Sequence, residues 1–92
     1  MIKTFRHKGL KALHDKGQTK GVRQDHVPKL KRVLARLDVA QEIEDMDVPG
    51  WKLHPLKGED KGRWSVWING NWRLTFELID GDAYVLDYED YH

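Results

Sequence analysis

The apolar residues of this chain change period once, near residue 50, and that change limits the folds open to it. Val27, Leu30, Val33, Leu34 and Leu37 recur at helical spacing and form one apolar stripe. Arg63 to Ile68, Asn71 to Ile79 and Asp82 to Tyr88 instead read as strands, largely alternating with the period of two that a half-buried strand requires. Asn69-Gly70 and Asp80-Gly81 separate these stretches, and such dipeptides join antiparallel strands. Helices first and a meander after them predict an α+β chain, its N-terminal helices packed on one face of a twisted, mainly antiparallel β-sheet. The 92 residues leave room for one core, so residues 1–92 are expected to form a single domain.

Finer elements are set by local signals. Ile2 to Phe5 alternates and predicts a short strand. Arg6 to Lys16, with Leu10 and Leu13 three apart, predicts a helix that Gly17 ends. Gln18 to Gln24 is a loop. The main helix is expected to start near Asp25 as N-cap, because Pro28 is tolerated only in a first turn. Val39 to Met46 predicts a short acidic helix that Asp47-Val48-Pro49-Gly50 stops, and Trp51 to His54 alternates ahead of Pro55.

The register of the first hairpin decides what lies beside Arg73. A two-residue Asn-Gly turn pairs Val66 with Arg73, whereas a three-residue loop pairs Ile68 with Trp72, Val66 with Leu74 and Trp64 with Phe76. The second register gathers six apolar side chains on one face. At about 1.5–3 kcal/mol for each large side chain buried, that outweighs the turn preference. Ser65, Trp67, Arg73, Thr75 and Glu77 then share the opposite face. A two-residue Asp80-Gly81 turn would put Tyr88 opposite Arg73 and bring the C-terminal residues close by.

Charge is divided along the chain. Residues 1–36 carry eleven Lys and Arg against two Asp, while residues 37–92 carry five basic and thirteen acidic residues, so a net charge of +1 conceals two opposed halves. The basic half suits a polyanionic partner, and it equally suits a surface that attracts the acidic half. The chain has no cysteine, which excludes disulfides, thiolate zinc sites and cysteine nucleophiles and fits a reducing compartment. No apolar run approaches the ~20 residues that span a bilayer, so a cytoplasmic protein without a membrane partner is expected. His7 and His14 lie two helical turns apart, too far for one ion without other ligands, and no metal or cofactor is expected. Ser65 is the only serine, which leaves histidine as the ordinary acid or base near neutral pH.

Three stretches can carry chemistry. Leu53-His54-Pro55-Leu56-Lys57-Gly58 holds a proton carrier and a phosphate contact three apart, or else is a surface loop with a satisfied histidine. Asn71-Trp72-Arg73 sets a permanent guanidinium in mid-strand, where it braces a phosphate or pairs with Glu77 on the same face. Tyr88-Glu89-Asp90-Tyr91-His92 ends on an imidazole whose neighbouring terminal carboxylate favours imidazolium, the form of a general acid. Tyr91 can stack on a base and Asp90 can orient a histidine; a tail simply packed on the sheet is the other reading.

Taken together these stretches resemble the HigB family of RelE-like toxins. The resemblance runs the full length, from Met1-Ile2-Lys3-Thr4-Phe5 through Leu53-His54-Pro55-Leu56-Lys57-Gly58 and Asn71-Trp72-Arg73-Leu74-Thr75-Phe76 to the C-terminal ending. It implies a microbial-ribonuclease-like fold and endonucleolytic cleavage of mRNA in the A site of the 70S ribosome, with rRNA contacts through the basic N-terminal helices. It also implies a cognate helix-turn-helix antitoxin, HigA-like, through which alone operator DNA would be reached. By that likeness His54, Asp90, Tyr91 and His92 are the residues to watch, with Lys57 and Arg73 supporting the phosphate. Asn71 is positioned to read a base edge. Trp67 is larger than the polar residue expected on that face and stacks on RNA or narrows the cleft, with Tyr88 beside it. The reaction expected is metal-independent attack by a ribose 2′-OH, with His54 and His92 as base and acid. The alternatives are a non-catalytic RNA- or ribosome-binding module and an operon co-repressor.

Overall fold

The computed structural model describes residues 1–91; His92 lies outside the described residues. Helix α1 (Lys8–Lys16) starts where the His7 imidazole accepts the Leu10 amide proton at 3.2 Å. It ends at Gly17, whose left-handed φ of 69° turns the chain while its N–H still reaches the Leu13 carbonyl. Leu10 and Leu13 are the buried face. Helix α2 (Val27–Val39) buries Leu30, Val33, Leu34 and Leu37, the stripe read from the sequence.

Asp25 is not the cap of α2. A 3-10 turn, Gln24–His26, precedes the helix, and the Asp25 carboxylate turns back to Arg23 Nε at 3.2 Å. The expected acidic helix over residues 39–46 is also absent. Ala40 is extended, and only Ile43–Met46 form a 3-10 turn. The Asp45 carboxylate accepts the Gln41 and Glu42 amide protons at 2.9 and 3.1 Å, so a side chain takes the place of the carbonyls that would continue a helix.

The sheet runs in the order β1 (His54–Pro55), β2 (Trp64–Asn69), β3 (Trp72–Ile79), β4 (Asp82–Asp90), antiparallel throughout. Residues 2–5 run parallel to β4 through single bridges, Ile2 to Ala83 and Phe5 to Leu86, which makes the whole sheet mainly rather than purely antiparallel. The expected strand over Trp51 to His54 shrinks to His54–Pro55 because Lys52 takes a left-handed φ of 51°. Val66, Ile68, Leu74, Phe76, Ala83 and Leu86 meet the helices in one buried core with Met46 and Trp51. Among the described residues no helix is long and apolar enough to cross a membrane.

In the first hairpin Trp64 pairs with Phe76, Val66 with Leu74 and Trp67 with Arg73, as the apolar face demands. The tip differs: Asn69 pairs with Trp72, and Ile68 is the extra residue of a bulge between Trp67 and Asn69. In the second hairpin Asp80-Gly81 is indeed a two-residue turn, with Ile79 opposite Asp82. A second bulge then shifts β4 by one residue, with Val85 at a φ of 54°. Glu89, not Tyr88, therefore stands opposite Arg73.

Candidate active site

Tyr88 is consequently lost from the expected site. It lies opposite Leu74 on the core face, 5% exposed, with its hydroxyl 2.5 Å from His26 Nδ1. Trp72 packs on its ring at 4.5 Å between centroids, and His7 meets it edge-on. Tyr88 is thus the anchor that fixes the end of β4 under the helices. Burial lowers the His26 pKa, with Arg23 acting in the same sense against Asp25, and so favours a neutral imidazole.

On the open face, cross-strand pairing sets His54, Ser65, Thr75 and Asp87 in one row, and Trp67, Arg73 and Glu89 in the next. His54 and Arg73 line one depression of about 300 Å³, with Lys52, Leu53 and Ser65. Ser65, 2% exposed, sits at the buried level of this surface. The structure thus joins the first two candidate stretches.

Arg73 does not pair with Glu77. The Glu77 carboxylate lies 3.8 Å from Arg63 instead, and among the described residues Arg73 has no carboxylate within ion-pair distance. Its Nη1 only reaches the carbonyls of Gly70 and Trp72, at 3.4 and 3.3 Å. A half-exposed guanidinium with weak backbone partners keeps most of its donors for an incoming anion.

The tail is held beside this face. The Tyr91 amide donates to the Asn71 carbonyl at 2.7 Å, which ties the C-terminal end of β4 to the β2–β3 turn. Asp90 stands opposite Trp72, exposed. Burial raises the Tyr91 phenol pKa, and the carboxylates of Glu89, Asp60 and Asp87 add to it, so the hydroxyl stays protonated. Lys57 is exposed at the start of the 3-10 turn Gly58–Asp60 and does not line the depression. The expected acid, His92, lies outside the described residues.

Sequence reasoning assigned no role to several residues that the fold brings to this face. Arg63, 8% exposed, donates to Thr75 Oγ1 and the Val85 carbonyl, both at 2.8 Å, while its Nη1 has no hydrogen-bond partner. Thr75 Oγ1 in turn lies 3.3 Å from Glu89 Oε2. The even spacing of Arg63 with Ser65 and Trp67 is the signal that would put it on this face. Lys29 and Lys52, both near the Trp67 ring, carried no such signal.

The fold and the site define a small α+β protein whose open sheet face presents an imidazole and a guanidinium in one cleft. Residues 3–92 match the family model described as RelE-like toxin of type II toxin-antitoxin system HigB. The chain is 51% identical over 92 residues to Endoribonuclease HigB of Proteus vulgaris, spanning all of both chains. It is also 40% identical over 55 residues to Toxin HigB-1 of Vibrio cholerae serotype O1 (strain ATCC 39315 / El Tor Inaba N16961), covering 59% of this chain and 58% of that one. The chain belongs to the HigB family of RelE-like type II toxins.

Proposed function

We propose that this chain is an endoribonuclease toxin that cuts mRNA in the ribosomal A site and so arrests translation until a cognate helix-turn-helix antitoxin binds it. The observation that carries this reading is the shared cleft of His54 and Arg73, where the guanidinium has no carboxylate partner among the described residues. The name of the Proteus vulgaris relative, an endoribonuclease, points the same way.

The chemistry is proton transfer on side chains. His54 takes the proton from a ribose 2′-OH, whose oxygen attacks the adjacent phosphorus. The bond from phosphorus to the 5′-oxygen breaks, and that oxygen leaves with a proton supplied by His92. Arg73, its donors already in place, holds the charge that builds on the phosphorane oxygens, and Lys57 supports the phosphate from outside the depression. Asp90 orients the terminal imidazole, Tyr91 stacks on a base, and Asn71 reads a base edge at the hairpin tip. Products are a 2′,3′-cyclic phosphate and a 5′-OH end. The setting is the cytoplasm, where translated mRNA is found.

The test is induction of the chain without a partner, followed by mapping of 5′ ends on a translated mRNA. Wild type should arrest growth and leave new 5′-OH ends; His54→Ala and a chain lacking His92 should do neither while staying folded. Undiminished cleavage in both variants removes this site. Stalled ribosomes without new ends make the chain a binder instead.

A further inference from the structure

Two lysines from distant parts of the chain meet on one indole. Lys29 Nζ, from the first turn of α2, lies 4.4 Å from the Trp67 ring centroid, and Lys52 Nζ lies 4.5 Å from it. The two ammonium groups are therefore no further apart than the sum of those distances. Neither forms an ion pair with a carboxylate among the described residues. The ring that gathers them is itself fixed, since Trp67 Nε1 donates to the Gly70 carbonyl at 2.8 Å. That carbonyl also receives the weak bond from Arg73, the cross-strand partner of Trp67.

Two features make this more than incidental packing. Lys52 adopts its left-handed φ of 51° although it is neither glycine nor asparagine, a conformation that the Cβ of an L-residue disfavours. The fold accepts that cost and thereby sets the side chain over Trp67. Second, like charges are crowded here: burial lowers the Lys29 pKa, and Arg32, Lys52 and Arg73 lower it further. A cluster of cations with no ion-paired carboxylate among the described residues is relieved by an anion from outside.

We propose that Lys29 and Lys52, held on Trp67, form a second phosphate site that grips the RNA backbone beside the phosphate braced by Arg73. Trp67 is then the platform that positions two ammonium groups; it is not a bare surface for a base. The site lies along the β1–β2 side of the cleft, because Lys52 lines the same depression as His54 and Arg73. It continues from the cleft toward α2, so a strand leaving the cleft would pass over it. This inference rests on the cleft's being where RNA is cut, and it concerns grip, not proton transfer.

The experiment measures binding of a 2′-O-methyl single-stranded RNA dodecamer, which cannot be cleaved by 2′-OH attack, by fluorescence anisotropy over a salt series. Wild type should lose affinity steeply with salt. The Lys29→Gln, Lys52→Asn double variant should bind roughly tenfold more weakly at low salt. Its slope of log affinity against log salt should fall by about 0.7 for each phosphate that is no longer neutralised. Asn at 52 tolerates the left-handed backbone, so the Tm should hold. Trp67→Leu should reproduce the double variant and Trp67→Phe should not, because a ring still gathers the lysines. A double variant with wild-type affinity and slope overturns the proposal, as does wild type that does not bind the dodecamer. His54→Ala separates the two claims: unchanged binding with abolished cleavage supports both. A His54→Ala chain that cleaves normally overturns the cleavage reading while the salt slope still decides this one.

Discussion

Arg73 and Arg63 show how one residue type serves two purposes on the same face. Arg63 is buried and bonded to Thr75, the Val85 carbonyl and, more loosely, Glu77; it ties β2, β3 and β4 together. With Glu77 on Arg63, Arg73 has no carboxylate within ion-pair distance among the described residues. Arg73→Ala should therefore slow cleavage by about 10²–10³-fold, the range for removing one preorganised donor from a developing charge. The Tm should barely move; a large loss of stability with normal single-turnover cleavage would make Arg73 structural. Tyr88→Phe should do the opposite. It leaves His26 Nδ1 buried without its 2.5 Å partner and should cost about 1–3 kcal/mol in urea unfolding. Two departures from the sequence reading share one physical cause. Lys52 and Val85 both take left-handed backbone with no glycine or asparagine to announce it, and each redirects the residues after it in the chain. Val85 moved Tyr88 from the open face to the core, which is why the expected partner of Arg73 was wrong by one residue.

At the scale of elements, the helical stripe and the first hairpin were legible because burial energy decides them: slipping β2 by one residue would expose its apolar face. Caps and short turns were less so, since they depend on which of several nearby side chains wins a backbone proton. Asp45 won at residues 41 and 42, and Asp25 went to Arg23. Packing between elements adds two expectations. Gly9 in α1 lies against Gly21, and a Cβ at Gly9 would sit 2.3 Å from the Gly21 carbonyl oxygen. Gly9→Ala should then destabilise by about 1–3 kcal/mol, read from the urea midpoint, because both sides of the contact are backbone. His14 joins α1, α2 and the N-terminal segment: its ring reaches Asp15 at 2.8 Å and Asp38 at 2.7 Å, and Asp38 also accepts the Ile2 amide proton. Burial opposes the charge on His14, but the two carboxylates outweigh it and raise the pKa above 6.5. A raised folded-state pKa gives stability that is fully present below the unfolded value and is lost as pH rises through the folded one. His26 acts in the other sense. Its pKa is lowered from 6.5, so stability falls as pH drops below that value. Denaturation of wild type and His14→Gln at pH 6 and pH 8 isolates the first effect: the variant should lose more stability at pH 6 than at pH 8. An equal loss at both would mean His14 is not charged in the fold.

Over the whole molecule, few contact ion pairs join the two opposed halves among the described residues. Of the eleven Lys and Arg in residues 1–36, only Arg6 forms an ion pair with the acidic half among the described residues, with Asp87 at 3.7 Å. Lys8, Lys11 and Lys16 are exposed on α1, on the helical layer, whereas the cleft opens on the other face of the sheet. The three α1 lysines and the groups that line the cleft thus occupy separate surfaces. Separation of the two has a kinetic consequence. Replacing Lys8, Lys11 and Lys16 together by Gln should lower kcat/KM in a translating extract by about tenfold at low salt, because steering by a charged surface acts on encounter. The deficit should close as salt approaches 0.5 M, where the Debye length falls to a few ångströms, about 4 Å. The rate at saturation should be unchanged, since no α1 lysine reaches the cleft. A fall in the saturated rate with KM unaltered would instead place α1 in the chemistry, and the division between docking face and reacting face would not stand.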